Sequence, residues 1–455
     1  MFLKRLSKVL LGSSLMMTVA LAAKAPAPVE RPSLAVIATE PDPARLRADL
    51  ETLVAFGTRH TLSDTTSPTR GIGAARLWTQ AQFQQMSASC GQCLDVQMPT
   101  STVSGNRIPV PTELTDVIAI QRGTRELNRV ILITGHIDSR VSDVMNATAD
   151  APGADDDGSG TVLTLEAARI LSRYKFPATI VYAVLSGEEQ GLYGGKLLAQ
   201  YAQDHGWIVE GVLNNDIVGS TRGGNGSRNN TLIRLFSEST RGPETPEQAR
   251  KRRVIGGELD SPSRNLARYI KQVVEPLMPN WTVKLVYRLD RYGRGGDHSA
   301  FNDLGDPAVR FTEAGEDYAH QHQDLRTENG VDYGDTIDHV DFDYLARVTA
   351  TNVIAAASLA LAPAPPAKLE IKGAVSTDTT LSWQPPAGGA AAYRVYWRDS
   401  TEPTWTHSRD VGAATEITLK DIVVDDWIFG VASRSAEGDE SPVEFAGEPG
   451  AFPAP

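Results

Sequence analysis

In the middle of this chain, apolar β-branched runs keep giving way to ionisable residues. Arg129–Gly135 (RVILITG) leads into His136, and Ala178–Leu185 (ATIVYAVL) leads into Ser186-Gly187-Glu188-Glu189. The run within Val209–Val218 carries Asn215-Asp216 at its end. Short runs of this type, bounded by turn residues, read as buried strands, and Asp116–Gly123 (DVIAIQRG) is another. Between them, Thr161–Tyr174 sets Leu163, Ala167, Ile170, Leu171 and Tyr174 on one helical face before Pro177 stops it. Gly191–Asp204 is a second helical stretch, and Tyr344–Leu361 a closing one. Strand and helix in alternation predict an α/β fold with a doubly wound, mostly parallel sheet. Such sheets collect their ligands at the carboxyl ends of the strands, which is where His136, Glu188, Glu189 and Asp216 fall.

At 455 residues the chain is too long for one compact core. Lys4, Arg5 and Lys8 precede the apolar run Val9–Ala22, which closes on Ala20-Leu21-Ala22. That pattern predicts a signal peptide over 1–22 and an exported protein, periplasmic or extracellular. No other segment reads as long and apolar enough to span a membrane. Residues 23–43 are rich in Ala and Pro and read as a leader, and 44–361 hold the α/β domain. A proline-rich linker at 362–367 then separates it from 368–455. There the helical period disappears, and short alternating runs (Lys368–Ile371, Thr380–Trp383, Tyr393–Trp397, Glu416–Leu419, Trp427–Ala432) predict a small all-β sandwich. The segments LSWQPP, YRVYWR and WIFGVASRSAEGDES resemble a fibronectin type III module, with Trp383 in the place of its core tryptophan. Such a module is a candidate for binding a polymer or a protein surface.

A formal charge of −12 disfavours nucleic acid and anionic lipid as partners. The two cysteines, Cys90 and Cys93, are spaced to form a local disulfide in an oxidising compartment. A zinc knuckle would need a second pair of ligands nearby, and none is present.

The ionisable residues form a pattern that isolated motifs do not. In Gly135-His136-Ile137-Asp138, Asp138 stands two residues on, where it can fix the tautomer of a metal-bound imidazole. Asp155-Asp156-Asp157, within Pro152–Gly160 (PGADDDGSG), cannot all be buried without a counter-ion. Asp155, Asp157, Ser159, Gly160 and Glu166 also fit calcium-loop positions, but Pro152-Gly153 leaves no entering helix and no second hand is present. In Gly187-Glu188-Glu189, one carboxylate can bind metal while its neighbour stays free as a base. Gly296-Asp297-His298 and His320-Gln321-His322-Gln323-Asp324 bring further histidines. An HExxH helix and a GxSxG elbow are both absent from the sequence.

Taken in order, GHIDS, PGADDDGSG, SGEEQGL, NND, GGDHSAF and HQHQD resemble metallopeptidase family 28, the co-catalytic dizinc exopeptidases of the bacterial leucyl aminopeptidase type. The resemblance spans about residues 110–360. It implies two zinc ions: His136 and Asp216 on one, Glu189 and His320 on the other, and Asp156 bridging through a cis Asp156–Asp157 peptide. It implies Glu188 as general base acting on metal-activated water and Asp138 as the residue orienting His136. His320 is preferred to His322 because His320 and Asp324 keep the family's His-x-x-x-Asp register. Neither Tyr292 nor Tyr318 stands in a register that assigns it a role. The implied activity is a zinc-dependent aminopeptidase acting on peptides with a free N-terminus. A carboxypeptidase or dipeptidase on the same scaffold is the alternative, with Arg291, Arg294 and Arg310 as the basic residues that would matter. A non-catalytic binding or adhesion protein is the third reading.

Overall fold

The computed structural model describes residues 31–240 and 242–447. The expected signal peptide at 1–22 lies outside the described residues. Among the described residues the α/β domain contains twelve strands, of which the first ten are β1 (Asp95–Gln97), β2 (Thr100–Gly105), β3 (Ile108–Thr115), β4 (Val117–Gln121), β5 (Glu126–His136), β6 (Ala178–Leu185), β7 (Ile208–Asn215), β8 (Leu232–Ser237), β9 (Thr282–Val286) and β10 (Ala308–Glu313). Eight form one sheet in the order β1-β4-β6-β5-β7-β10-β8-β9, and β2 pairs with β3 as a separate hairpin. The central strands β6, β5, β7 and β10 run parallel. Antiparallel pairing appears on either side, where β4 meets β6 and β8 meets β10.

Strand side chains alternate between the two faces of a sheet. Ile131 and Ile133 of β5, with Ile180, Tyr182 and Val184 of β6, enter a core completed by the helices Gly160–Leu171 and Phe342–Leu361. Val130 and Leu132, with Val181, Ala183 and Leu185, enter the opposite core against the helix Tyr193–Asp204. Both faces are covered, so these strands read as unbroken apolar runs rather than alternating ones. Phe342–Leu361 corrects one expectation, because it has the length and hydropathy of a membrane span. Here it is the core helix beneath the sheet, almost wholly buried.

The predicted leader extends too far. Asp42 caps a helix over Pro43–Ala55, and Ile37, within a short helix at Leu34–Ile37, is fully buried in the main core. The described residues from 31 onward thus belong to the domain, because the apolar Leu34–Ile37 segment finds a place in it that composition did not suggest. Cys90 and Cys93 are joined in a disulfide at the end of the helix Gly71–Ser89.

After the two-stranded β11 (Arg326–Glu328) and β12 (Val331–Tyr333), the C-terminal residues form two sheets. Their strands are β13 (Ala367–Lys372), β14 (Thr379–Gln384), β15 (Ala392–Asp399), β16 (His407–Gly412), β17 (Glu416–Leu419), β18 (Trp427–Arg434) and β19 (Glu444–Phe445). The orders β13-β14-β17 and β16-β15-β18-β19 enclose Leu381, Trp383, Val395, Phe429 and Val431. This sandwich is fastened to the α/β domain. Arg398 and Asp260, both fully buried, meet at 2.6 Å across the seam, and Arg268 reaches Asp260 at 3.0 Å. Arg268 also donates to the Pro403 carbonyl at 2.7 Å. A cavity of about 560 Å³ lies along this seam, lined by Glu210, Asp260, Pro262, Pro365 and Phe445.

Candidate metal centre

Three parallel strands deliver the site. β5 ends on His136, β6 runs into Glu188-Glu189, and β7 runs into Asp216. A fourth element, the loop 154–159 ahead of the helix Gly160–Leu171, brings Asp156 beside them. That helix starts hard against the end of β5, and a Cβ on Gly135 would fall 2.5 Å from the Gly160 backbone. Only glycine allows this approach, which draws the Asp156 loop in beside His136.

The ligand-type side chains fall into two groups, each with its polar atoms within 4.8 Å of one another: His136, Glu188 and Asp216; and Asp156, Glu189 and His322. Asp156 stands between them. Its Oδ1 is 3.4 Å from His136 Nε2 and its Oδ2 is 2.8 Å from His322 Nε2. His322 Nε2 is also 3.0 Å from Glu189 Oε1, and His136 Nε2 is 3.9 Å from Asp216 Oδ1. The Asp156–Asp157 peptide is cis. One carboxylate facing an imidazole on each side is the arrangement a bridging ligand requires.

His320, expected from its register with Asp324, stands outside the second group. His320 stacks on His339 with ring centroids 3.4 Å apart and approaches Asp317 at 3.7 Å. Its Nδ1 lies 3.2 Å from the Gly334 carbonyl. His322 takes the place instead, because it adopts a left-handed backbone (φ 54°) that folds the segment back over Asp156. A spacing counted along sequence carries no information about that turn.

Asp138 does more than face His136. Its carboxylate accepts from Thr61 Oγ1 at 2.8 Å and from the backbone of Glu188 and Glu189 at 3.3 and 3.1 Å. His136 Nδ1 lies 3.1 Å from the Asp138 carbonyl and 3.5 Å from its carboxylate. Asp138 therefore holds the turn that carries the two glutamates as well as the imidazole. Asp297 accepts from Gly195 N at 3.0 Å and His298 reaches the Leu289 carbonyl at 2.9 Å, so neither joins the two groups. Tyr292 and Tyr318 are 87% and 64% exposed, which gives neither a fixed place over the site.

Several supports escaped sequence reasoning. Asp157 accepts from His136 N and Gly160 N, both at 2.9 Å, tying the end of β5 to the start of the helix. Asp335 accepts from the backbone of Asp155 and of Asp156. Arg59 is almost fully buried and donates to the carbonyls of Ile137, Pro152 and Gly153, which flank the ligand loops. Arg310 spans Asp216 and Asp290, at 2.8 and 3.0 Å. Most of these bonds reach groups far away in sequence, and no spacing signals them.

The charges need a cation. Burial pushes the Glu188 carboxyl well above its usual range, helped by Asp216, Glu189 and Asp297. Burial likewise raises Asp157 and Asp335, and it lifts Asp297 to about 7 and Asp155 to about 6. Burial would lower His322, but Glu189 and Asp156 outweigh it and push it up to about 10. Without a cation this cluster must take up protons to persist. An orphaned atom agrees: His136 Nε2 is buried with no hydrogen-bond partner. Imidazole and carboxylate donors are what zinc accepts, so the residues present fit a metal pair.

A model of peptidase family M28 matches residues 116–353. A probable zinc metalloprotease of Pyricularia oryzae is 46% identical, covering 89% of this chain and 82% of its own length. Another from Leptosphaeria maculans is 44% identical, covering 92% and 97%. Among solved structures, LapA of Legionella pneumophila superposes with a TM-score of 0.52 at 20% identity, over 72% of this chain and 76% of that one. LapB of the same organism gives 0.51 at 19%, over 74% and 78%. At such identities the structural likeness speaks for the fold alone.

Proposed function

The chain belongs to peptidase family M28, and on that premise we propose that it is an exported dizinc aminopeptidase that removes N-terminal residues from peptides. The observation that carries this reading is Asp156 standing between two separate imidazole–carboxylate groups. In the proposed assignment His136 and Asp216 hold one ion, Glu189 and His322 the other, and Asp156 both. When bound, the zinc pair supplies Lewis-acid polarisation of the scissile carbonyl and acidifies the attacking water.

The chain's own residues do the rest. Glu188 lies at the half-buried edge of the first group, its backbone fixed by Asp138. It takes a proton from the attacking water and passes it to the leaving amine. Asp138 and Asp157 keep the imidazole and the strand end from shifting as charge develops. The acidic surroundings favour a substrate that brings a positive charge, which suits a free α-amino group. The sandwich, read as a fibronectin type III-like module, is assigned the role of a fixed support.

A panel of substrates tests the activity. Leucyl anilides should be cleaved and N-acetylated counterparts left intact; efficient cleavage of the blocked forms would overturn the aminopeptidase reading. Chelation should abolish the activity and zinc restore it. His322→Ala should hold about one zinc per chain by metal analysis, whereas His320→Ala should hold both. Of the basic residues named in the sequence for the carboxypeptidase alternative, two are already engaged. Arg310 is engaged with Asp216 and Asp290, and Arg291 with Asp290 and Glu316 at 3.1 Å each.

A further inference from the structure

We propose that Arg140 makes this enzyme selective for dipeptides by binding their C-terminal carboxylate. The inference rests on the aminopeptidase reading and names its substrate class. Arg140 lies on the loop leaving β5, four residues beyond His136. Its Nε is 3.6 Å from Glu189 Oε2, while the other oxygen of Glu189 faces His322 at 3.0 Å. The guanidinium is therefore one carboxylate away from the second metal group. At 3.6 Å the approach to Glu189 is an ion pair and too long for a hydrogen bond.

What sets Arg140 apart is that its donors are unspent. Its Nε is buried without an acceptor, and its side chain is only 15% exposed. The terminal nitrogens make no hydrogen bond among the described residues, and they are the part of the group that reaches solvent. Arg59, Arg291 and Arg310 behave otherwise, each donating to carbonyls or carboxylates of the chain. A buried Nε without an acceptor is costly to keep, and the terminal nitrogens are left for solvent or a ligand. A ligand carboxylate would satisfy it, because the planar fork of arginine matches a carboxylate through two parallel hydrogen bonds.

The spacing selects the length of the peptide. One residue of extended chain advances roughly 3.5 Å. With the scissile carbonyl at the metal groups, the next residue of the substrate reaches the neighbourhood of Arg140. In a dipeptide that residue ends in a carboxylate. In a longer peptide it presents a neutral amide, which makes a weaker bond to arginine.

The test compares leucyl-leucine with leucyl-leucinamide on the zinc-loaded full chain. Wild type, Arg140→Lys and Arg140→Met are each assayed, with zinc content measured on all three. Wild type should favour the free acid in kcat/KM by at least about tenfold, the scale of one charge-assisted pair. Arg140→Met should bring the two substrates within about twofold, chiefly through KM for the acid, and Arg140→Lys should keep part of the preference. The proposal is overturned if wild type does not distinguish the substrates, or if Arg140→Met leaves the ratio as it was. An equal fall on both substrates also overturns it, since that places Arg140 on Glu189 or on the reacting carbonyl. Should Arg140→Met not fold, the wild-type ratio and the Lys variant still decide. Failure of the aminopeptidase reading looks different: wild type would leave a leucyl anilide intact, whatever it does to leucyl-leucine.

Discussion

Glu188→Gln should lower kcat by about 10²–10⁴-fold, the range for removing a positioned general base, while the protein keeps its zinc. The two properties separate because Glu188 and Glu189 are held by the same residue but face different neighbours. Asp138 fixes the backbone of both, yet Glu189 contacts His322 whereas Glu188 groups with His136 and Asp216. Glutamine is nearly isosteric and keeps an oxygen, so the local fold and the second metal group should survive. What it lacks is the ability to take a proton. The checks are steady-state kinetics on a leucyl anilide and metal analysis of the same preparation. Retention of turnover within severalfold would remove Glu188 from its role. Loss of zinc in step with loss of activity would make it a ligand instead. By the same logic Asp138→Asn should reduce activity less steeply, because an amide oxygen in the place of Oδ2 can still accept from Thr61 and from Glu189 N, with only the bond from Glu188 N lost.

Much of this was visible in the sequence, and the reason is physical. A strand covered on both faces must be apolar throughout, so the point where β5, β6 or β7 meets His136, Glu188 or Asp216 is an abrupt change in residue type. Such changes survive in one dimension. The His320 assignment failed because it depended on a turn: His322, with its positive φ, reverses a segment that reads as uniform polar loop. Arg59 and Asp335 were invisible for another reason. Each acts on the backbone of residues far along the chain, and the same side chains on a surface would look identical in sequence. In the sandwich, β14, β15 and β18 announced themselves by alternation. β16 did not, since His407–Gly412 is almost entirely exposed and carries no apolar period. Leu34–Ile37 reads as leader in the sequence because four residues are too few to show a helical face.

Asp260→Ala should destabilise the folded chain by about 3–5 kcal/mol, the usual cost of stripping one partner from a buried ion pair. Among the described residues Asp260 is the anion that Arg268 and Arg398 share, at 3.0 and 2.6 Å, and all three side chains are almost completely buried. Removing it leaves two guanidinium charges facing each other across the seam between the domains. Their remaining bonds, from Arg268 to the Pro403 and Leu259 carbonyls and the Asn265 amide oxygen and from Arg398 to the Asp399 and Glu402 carbonyls, are to neutral acceptors and cannot balance that charge. Arg398→Met should cost much less, because Asp260 keeps Arg268 and an apolar side chain fills the vacated space. The comparison separates charge imbalance from simple loss of contact. Thermal and denaturant unfolding of the two variants would show it. Wild type should unfold in a single transition, and Asp260→Ala should lower the midpoint or split it as the sandwich leaves first. A midpoint unchanged in Asp260→Ala would mean that the seam contributes nothing to holding the domains together. A large loss in both variants would point to packing rather than charge. If the ordering holds, the C-terminal module is a part of the peptidase body, and Tyr287, whose hydroxyl donates to the Pro403 carbonyl at 2.8 Å, links it to the loop carrying Asp290 and Asp297. Weakening the seam should then also loosen the Asp290–Arg310–Asp216 chain and, through it, one of the two metal groups.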